Sequence, residues 1–423
     1  MKYFCVAFGL FLAWSRSAPA SDWPQWRGPY RTGAVPASEP VPTNLSSEPA
    51  IVWRIPVGEG LASPVVAGDK TVYFDNVDNL ETLHAADLRD GHELWHTAIG
   101  PTFSDSQGPT GPRCTPTIDD PRVYAQTCRG EFQCLDLKTG HLLWRTNFSD
   151  FGAVFIGEKG NAAGGSRHGN NGAPLVDGDQ VFVMVGSTNG ATLACFNKET
   201  GRLVWKSQND QSGYAAPVMA TILGKKQVVA FVADALLALD PADGALLWKL
   251  ALKTSLGRHV TTPVVIDDMV VVGSFQLGLL GVKVRRDGPE FHAEQAWVNK
   301  KAAMNFSSPV AMGNYIYGLG PSKDLVCLDA RDGHLVWRRE GCVSSSADKA
   351  HAAFMVMNRN ILMLNDSGEL ILFEANPEAF KEVSRLQVCG FNWCNPAYAD
   401  GRLYLREIKK TLYCIDLMKG LNQ

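Results

Sequence analysis

Short apolar runs separated by polar turns recur along almost the whole chain, always in the same order. Each unit opens with a small residue and a proline, followed by an apolar run, a short polar turn and a second apolar run. The turns, such as Gly68-Asp69 and Asp400-Gly401, use residues that tolerate positive φ or bond their own backbone, which predicts hairpins. Seven units carry the proline and an eighth carries Phe354 in its place, at intervals of 42 to 58 residues. The prolines are Pro64, Pro116, Pro174, Pro217, Pro263, Pro309 and Pro396.

A second signature closes most of these units. An apolar residue precedes Asp or Asn, Gly follows four residues later, and Trp follows four residues after the Gly. The five good copies contain the pairs Gly91 and Trp95, Gly140 and Trp144, Gly201 and Trp205, Gly244 and Trp248, and Gly333 and Trp337. Trp297 ends a degenerate copy that passes through Gly288. The third strand of a unit therefore ends at the Asp or Asn, and the fourth carries the Trp.

Four short strands per unit, repeated at this period, predict a β-propeller. A helical solenoid would need sustained 3.6-residue periodicity, which is missing, and a β-sandwich would not repeat the Asp-Gly-Trp spacing. The last unit reaches Asp416 and stops before any Trp, whereas Trp53 has no preceding Asp-Gly half. We therefore predict an all-β, single eight-bladed propeller over residues 51–423, with four antiparallel strands per blade. The N-terminal strand completes the last blade, which leaves no open sheet edge, and one blade near Phe380 is diverged.

The N-terminus has the pattern of a targeting segment. Lys2 precedes an apolar run from Tyr3 to Trp14, and Ala18-Pro19-Ala20 offers a cleavage site, which predicts a signal peptide over residues 1–20. The alternative is a buried N-terminal strand or helix. Residues 21–50 would then form an N-terminal extension. The apolar run is short for a bilayer span, and no other run of 18 apolar residues occurs. A periplasmic or secreted protein without a transmembrane segment in its mature chain is predicted.

Composition excludes one class of partner. The chain has 423 residues, 40 Lys plus Arg, 43 Asp plus Glu and a formal net charge of −3. Because no basic excess is available to neutralise phosphates, no nucleic-acid partner is predicted.

Ten cysteines in an exported chain would suggest disulfides, but most follow the repeat. Four of them stand two residues before the Asp or Asn, where other units have Ala, which is typical of small buried residues. They are Cys134, Cys195, Cys327 and Cys414, and two more, Cys114 and Cys394, stand two residues before the first-strand proline. Two pairings stay open, Cys128 with Cys134 and Cys389 with Cys394. No metal site is predicted, because Cys-x-x-Cys and His-x-x-x-His spacings are missing.

The Asp-x-x-x-Gly-x-x-x-Trp units, in their Ala/Cys-Leu-Asp setting, resemble the repeat of the quinoprotein-like (pyrroloquinoline quinone, PQQ) propellers. The resemblance covers roughly Ile51 to Asp416, and Trp23 to Pro29 also looks like the start of exported bacterial proteins with this propeller. One branch of the family comprises PQQ-dependent alcohol and sugar dehydrogenases. The other comprises non-enzymatic propellers such as the outer-membrane assembly factor BamB. The resemblance implies that each repeat Trp docks between neighbouring blades.

Resemblance to the enzyme branch would further imply a Cys-Cys disulfide, a Ca²⁺ held by Glu, Asn and Asp, an Asp base and a haem motif. The chain has no Cys-Cys pair and no haem motif, and the other two sets do not map onto it. The leading hypothesis is therefore a protein-binding or assembly scaffold with envelope or secreted partners and no catalytic residues. The alternative hypothesis is a PQQ-dependent oxidoreductase with a diverged site, binding PQQ with Ca²⁺.

Candidate binding residues precede the unit markers, where the innermost strands begin and should surround one mouth of the channel. Three or four positions before the markers stand Gly60, Arg113, Asn170, Tyr214, His259, Asn305, His351 and Trp393. Their neighbours include Arg167, His168, Asn171, Arg258, Lys349 and Asn392. Cations, amides and aromatics with hardly any carboxylates suit a planar, anionic or polyol ligand, whether quinone, peptide or glycan. The alternative is an ordinary hydrated rim.

The Gly-rich segment Gly164–Gly172 lies in the longest interval between repeat tryptophans. It predicts a loop at the channel mouth, since inserted loops often carry binding. The alternative is a plain flexible insertion.

Overall fold

The computed structural model describes residues 22–343, 346 and 350–419. The predicted signal peptide and Lys349 lie outside the described residues. Within them, 32 strands form eight four-stranded sheets. Consecutive strands of each sheet pair antiparallel, so the predicted eight-bladed propeller is confirmed.

The first strand, β1 (Ala50–Val57), belongs to the last blade. Blade 1 contains β2 (Val65–Ala67), β3 (Lys70–Val77), β4 (Leu80–Asp87) and β5 (Glu93–Pro101). Blade 2 contains β6 (Thr117–Asp119), β7 (Arg122–Gln126), β8 (Glu131–Asp136) and β9 (Leu142–Asn147). Blade 3 contains β10 (Leu175–Asp177), β11 (Gln180–Ser187), β12 (Ala191–Asn197) and β13 (Leu203–Ser207). Blade 4 contains β14 (Val218–Ile222), β15 (Lys225–Phe231), β16 (Ala235–Leu239) and β17 (Leu246–Ala251).

The second half of the ring follows the same order. Blade 5 contains β18 (Val264–Ile266), β19 (Met269–Ser274), β20 (Gly278–Asp287) and β21 (Glu290–Asn299). Blade 6 contains β22 (Val310–Met312), β23 (Tyr315–Leu319), β24 (Leu325–Asp329) and β25 (Leu335–Arg339). Blade 7 contains β26 (Ala352–Met357), β27 (Asn360–Asn365), β28 (Glu369–Glu374) and β29 (Glu382–Gln387). Blade 8 contains β30 (Ala397–Ala399), β31 (Arg402–Arg406), β32 (Lys410–Asp416) and β1.

Helical structure is minor in the described part of the chain. It consists of α1 (Gly165–His168) and two single turns of 3₁₀ helix, Phe148–Phe151 and Lys300–Ala302. None of these helices has the length and apolar character needed to cross a bilayer.

The two ends of the chain close the ring, as predicted. Strand β1 pairs antiparallel with β32, from Ala50 opposite Asp416 to Val57 opposite Lys410. Blade 8 thereby gains its outer strand from the N-terminus, and β32 is paired on both sides.

The Gly-Trp signature joins neighbouring blades. The indole Nε1 of Trp95, in blade 1, donates to the Leu137 carbonyl of blade 2 at 3.0 Å. A Cβ on Gly140 would lie 2.5 Å from the Trp95 ring, and Gly140 has a φ of +70°. The glycine therefore has two roles. It adopts the positive φ of the turn, and its lack of a Cβ leaves room for the Trp ring of the preceding blade. The same contact joins Trp53 with Gly91, Trp144 with Gly201, Trp205 with Gly244 and Trp297 with Gly333.

Blade 5 departs from this scheme. A Cβ on Gly288 would meet nothing within 4 Å, so this turn receives no tryptophan. Trp248 of blade 4 instead donates to the Gln227 side-chain oxygen of its own blade at 2.7 Å.

Blade 7 departs in another way. Ser384 faces Leu372 at the register position that Trp205 occupies in blade 3. The Ser384 hydroxyl accepts a hydrogen bond from the Leu45 amide at 2.8 Å. Phe380 packs instead against Trp337 of blade 6, with ring centroids 5.9 Å apart. The N-terminal extension therefore reaches the outer strand of the blade that lacks a terminal Trp.

The extension crosses the propeller axis before it reaches blade 7. Its buried Arg31 donates to the carbonyls of Ala173 and Pro217 at 3.2 and 2.9 Å, and also to that of Pro174. Arg27 donates to the Pro309 carbonyl at 2.5 Å. Further backbone or side-chain bonds join the extension to Val66, Ile118, Thr262, Val356 and Tyr398. The innermost segment of every blade thus contacts the extension.

The described cysteines are all free thiols. Neither open pairing is formed. Cys128 packs with Cys114 and Phe103 in a small buried cluster, while Cys134 lies opposite Tyr124 and Trp144 within blade 2.

Candidate functional site

A funnel opens at the mouth where the innermost strands begin. Its empty space amounts to about 980 Å³, which includes space open to solvent. Arg113, Tyr214, His351 and Trp393 line it, as do their neighbours His168, Asn171 and Arg258. Trp26 also lines the funnel, so the N-terminal extension that crosses the axis forms part of the cavity wall. Four of the seven candidate residues that carry side chains are therefore brought together, and Gly60, the eighth position, is not among the lining residues.

The other three candidates do not line the funnel. Asn170 is buried and bonds the Gln126 amide at 3.0 Å. His259 is buried, stacks on Phe231 with centroids 4.0 Å apart, and places Nε2 2.8 Å from the Leu252 carbonyl. Burial lowers the pKa of His259 to about 4, so the ring is neutral.

Asn305, the third of these, lines a second cavity that shares Phe306 with the funnel. Its side-chain oxygen accepts a hydrogen bond from Arg258 at 2.7 Å. The positions three or four residues before each marker show where a connection enters its blade. Successive side chains there point alternately to the channel and to the interior. Position alone therefore does not distinguish residues that line the funnel from residues buried behind it.

One wall of the funnel is charged. The Asp105 carboxylate accepts two hydrogen bonds from Arg113, at 3.0 and 2.8 Å, and lies 3.0 Å from His168 Nδ1. Burial alone would raise the pKa of Asp105, but His168 and Arg113 outweigh burial and hold that pKa well below its usual range. We call Asp105, Arg113 and His168 the Asp105 cluster.

The Gly-rich segment contributes to this wall. Helix α1 presents His168 to Asp105, and Asn171 follows it on the cavity surface. The Gly165 amide donates to the Ser212 carbonyl at 2.9 Å, which joins the segment to the connection between blades 3 and 4. The structure therefore places it on the rim of the funnel.

The opposite wall is aromatic. Phe391 lies 6.2 Å from Trp393, which stacks on Phe306 with centroids 5.4 Å apart. The Arg258 guanidinium lies between Phe306 and Phe275, 5.1 and 5.3 Å from their centroids. We call Phe275, Arg258, Phe306, Trp393 and Phe391 the aromatic arc. A cation held between two rings is oriented before any ligand arrives.

Buried nitrogens of three funnel residues have no hydrogen-bond partner within the described chain. They are Nε1 of Trp393, Nδ1 of His351 and Nε of Arg113. Burial lowers the pKa of His351 to about 4, so this ring is also neutral. Buried polar atoms of this kind are usually satisfied by water or a ligand.

Several residues of the site were missed by counting from the markers. Asp105 and Phe275 lie in connections of variable length, so the repeat alignment does not place them. Trp26 lies outside the repeats altogether. Phe306 and Phe391 stand beside predicted positions, and their aromatic character was the available signal.

A comparison with protein families finds one match. The family described as outer membrane protein assembly factor BamB matches residues 80–339 and 287–423. BamB of Yersinia pestis is 24% identical over 293 residues, 66% of this chain and 70% of that protein. BamB of Moranella endobia is 24% identical over 257 residues, 59% of this chain and 62% of that protein.

Solved structures share the fold. BamB from Moraxella catarrhalis superposes with a TM-score of 0.58 at 16% identity, covering 86% of this chain and 98% of that one. A europium-containing methanol dehydrogenase superposes with a TM-score of 0.51 at 12% identity, covering 94% and 98%. Likenesses at this identity show the architecture alone.

Proposed function

This chain belongs to the family of the outer membrane protein assembly factor BamB, and on that premise we propose that it is an exported, protein-binding scaffold of the cell envelope. A protein partner binds at the channel mouth, against the aromatic arc. The periplasm or the cell exterior is the proposed location, consistent with a signal peptide over residues 1–20.

The observation that carries the proposal is the exposure of aromatic side chains at the mouth. Phe275 and Phe391 are 53% and 50% exposed, and both contact residues that line the funnel. Aromatic residues and Arg are enriched in protein interfaces, and their burial at the centre of a contact supplies much of the binding energy. On the other wall, Arg113 and His168 line the funnel and can contact the same partner.

Site-specific photo-crosslinking in the envelope tests this proposal. A crosslinker at Phe391 should give one adduct of defined mass, identified by mass spectrometry. A crosslinker at Leu142, which is 47% exposed on β9 away from the funnel, is the matched control. Phe275→Ala combined with Phe391→Ala should reduce capture of the same partner at least tenfold. Equal adducts at both positions, or none at Phe391, would refute a mouth-directed scaffold.

A second candidate, a PQQ-dependent oxidoreductase, is favoured by one observation. Arg113, Arg258 and Trp393 give the funnel cationic and aromatic walls that suit a planar anion. The Ca²⁺ that accompanies PQQ needs several oxygen ligands, carboxylates above all. No carboxylate lines the funnel in the described chain, and Asp105 is already bonded to Arg113 and His168. The residues present do not fit the Ca²⁺, and we derive no step through the cofactor.

Titration with PQQ in the presence of Ca²⁺ separates the two candidates. The scaffold proposal expects no saturable spectral change and no dye reduction with alcohols or sugars. Saturable binding that is lost in Trp393→Ala, together with dye reduction, would replace it with the oxidoreductase.

The exported location has its own test. The chain expressed with residues 1–20 should be recovered from the periplasm or medium with Ser21 as its first residue. Recovery of uncleaved protein from the cytoplasm would overturn that part of the proposal.

A further inference from the structure

A cluster of imidazoles and a carboxylate lies on blade 1, away from the funnel. His84 on β4 and His96 on β5 stand directly opposite each other across the hairpin, and Glu93 opens β5. The Glu93 carboxylate bridges the two rings, 2.8 Å from Nδ1 of His84 and 2.7 Å from Nδ1 of His96. One donor atom from each residue lies within 4.8 Å of the other two.

An irregular register produces this convergence. The pairing shifts between Ala85 and Ala86, so that Glu93 faces Ala86 while His96 still faces His84. In a regular strand, residues three apart point to opposite faces. The bulge brings Glu93 and His96 to the same side, while Trp95 turns into the core.

The inner histidine is held from behind. Its Nε2 lies 3.0 Å from the buried Asp75 carboxylate, which also accepts the Gly58 amide at 2.6 Å. The His84 ring stacks on Tyr73, with centroids 4.7 Å apart and an interplanar angle of 3°. A carboxylate behind a histidine sets the tautomer and orientation in which the other ring nitrogen binds a metal.

We propose that His84, Glu93 and His96 bind a divalent transition-metal ion of the Zn²⁺ class. The ligands are Nδ1 of each histidine and a Glu93 oxygen, with the fourth position left to water. Two imidazole nitrogens favour Zn²⁺ over Ca²⁺ or Mg²⁺, which prefer oxygen. Around a tetrahedral ion the ligand atoms would lie roughly 3.3 Å apart, a small opening of the present contacts.

Exposure shows which ligands can make that adjustment. The His84 side chain is 8% exposed, whereas those of Glu93 and His96 are 44% and 62% exposed. The buried histidine therefore stays in place, and the two surface side chains shift slightly outward to admit the ion. The bound ion joins β4 to β5 at the edge of the blade.

Asp87, Asp90 and His92 form a second group of potential ligands on the same blade, and one of its carboxylates is paired with an arginine. Asp87 is bonded to Arg89 at 2.9 and 2.8 Å, and Asp90 bonds His92 within an exposed turn. His92 therefore supplies a matched control, an exposed histidine on the same blade outside the proposed site.

Calorimetry of the untagged full chain tests the site. Zn²⁺ should bind at one ion per chain, and Co²⁺ should give visible absorption bands typical of four-coordinate cobalt. His96→Ala and Glu93→Gln should each weaken Zn²⁺ binding at least tenfold. Asp75→Asn, which removes the charge behind His84 and keeps an oxygen that can accept the Gly58 amide, should weaken Zn²⁺ binding about tenfold as other supporting substitutions do. His92→Ala should bind Zn²⁺ as the wild type does.

Thermal unfolding keeps the test independent of folding defects. Without metal, His96→Ala should melt with the wild type because its side chain is exposed. Added Zn²⁺ should raise the wild-type melting temperature and leave that of His96→Ala unchanged. Wild-type affinity in His96→Ala, loss of binding in His92→Ala instead, or no saturable Zn²⁺ binding by the wild type would each overturn the proposal.

Discussion

At the scale of single residues, the repeat glycines show that the regular Gly-Trp spacing has a structural cause and needs no catalytic or binding role. Gly201 has a φ of +69°, and a Cβ there would lie 2.6 Å from the Trp144 ring of the preceding blade. Backbone conformation and the approach of the neighbouring Trp therefore select the same residue. The left-handed backbone and the close approach of the Trp ring each make substitution of this glycine unfavourable. A second glycine that has only the left-handed backbone allows the two costs to be measured separately.

Gly201→Ala should destabilise the protein more than Gly190→Ala. Gly190 lies in the same blade with a φ of +77°, but a Cβ there meets nothing within 4 Å. Its substitution should cost only the left-handed backbone term, about 1 kcal/mol, whereas Gly201→Ala should cost about 3 kcal/mol or more. Urea unfolding of both variants measures the difference. Equal losses would show that the Trp contact contributes nothing.

Asp105→Asn should change how stability depends on pH. The folded-state pKa of Asp105 is depressed, so its contribution is full above the unfolded value of 3.8 and falls as pH drops towards the folded value. At pH 7 the variant should be about 3 kcal/mol less stable, because Arg113 stays buried without its partner. The gap to the wild type should narrow below about pH 4.

Unfolding titrations from pH 7 to pH 2 measure that gap. Asp243→Asn, at an exposed turn, is the control and should follow the wild type throughout. A constant gap across this range would contradict the assigned role of Asp105.

At the scale of the strand and blade, departures from the repeat are compensated from elsewhere in the chain. Blade 7 lacks a terminal Trp, and the extension delivers Leu45 to that outer strand, where its side chain is buried. In blade 4, the Trp248 indole has no acceptor in blade 5 and donates to the Gln227 side chain of its own blade instead. The four-strand pattern is kept in both cases because the hairpin ladders do not depend on the Trp contact.

Leu45→Ala should therefore weaken the propeller although it lies outside the repeats. Removing a buried leucine costs about 2–5 kcal/mol, since the lost transfer energy and the cavity add. Leu142→Ala, at a 47% exposed position of β9, should change stability by less than about 0.5 kcal/mol. Chemical denaturation of the two variants gives the comparison. A silent Leu45→Ala would mean that the extension is not part of the folded core.

At the scale of the whole molecule, the extension acts as a plug that ties the ring together. Carbonyls near the proline markers of three blades accept hydrogen bonds from Arg31 and Arg27. The same segment supplies Trp26 to the funnel. The N-terminal segment therefore fills the axis, closes the ring through β1 and forms part of the cavity wall.

Arg31→Ala should loosen this plug. Its loss leaves buried carbonyls unsatisfied, at about 1–3 kcal/mol. Arg31→Lys should be nearly as damaging, because an ammonium lacks the planar fork that reaches several acceptors. Limited proteolysis should then cut within residues 22–45. Arg54→Ala, at an exposed residue of β1, should resist proteolysis like the wild type. Equal resistance of all variants would contradict the plug.

The sequence by itself determined the number of blades, the strands per blade and the closure at blade 8. These follow from periodic patterning and tight turns, which are local and repeat with every unit. It also identified the ends of the connections at the mouth, including Arg113, Tyr214, His351 and Trp393. Their role in binding stays a prediction.

Only the tertiary structure decided which side chains meet. Sequence spacing did not place Asn170 and His259 behind the wall, Asp105 against Arg113 and His168, or the extension across the axis. Nor did it show that His84, Glu93 and His96 converge, because a bulge changes which residues share a face. These contacts join positions far apart along the chain or depend on a single irregularity in register. A periodic pattern carries no information about either.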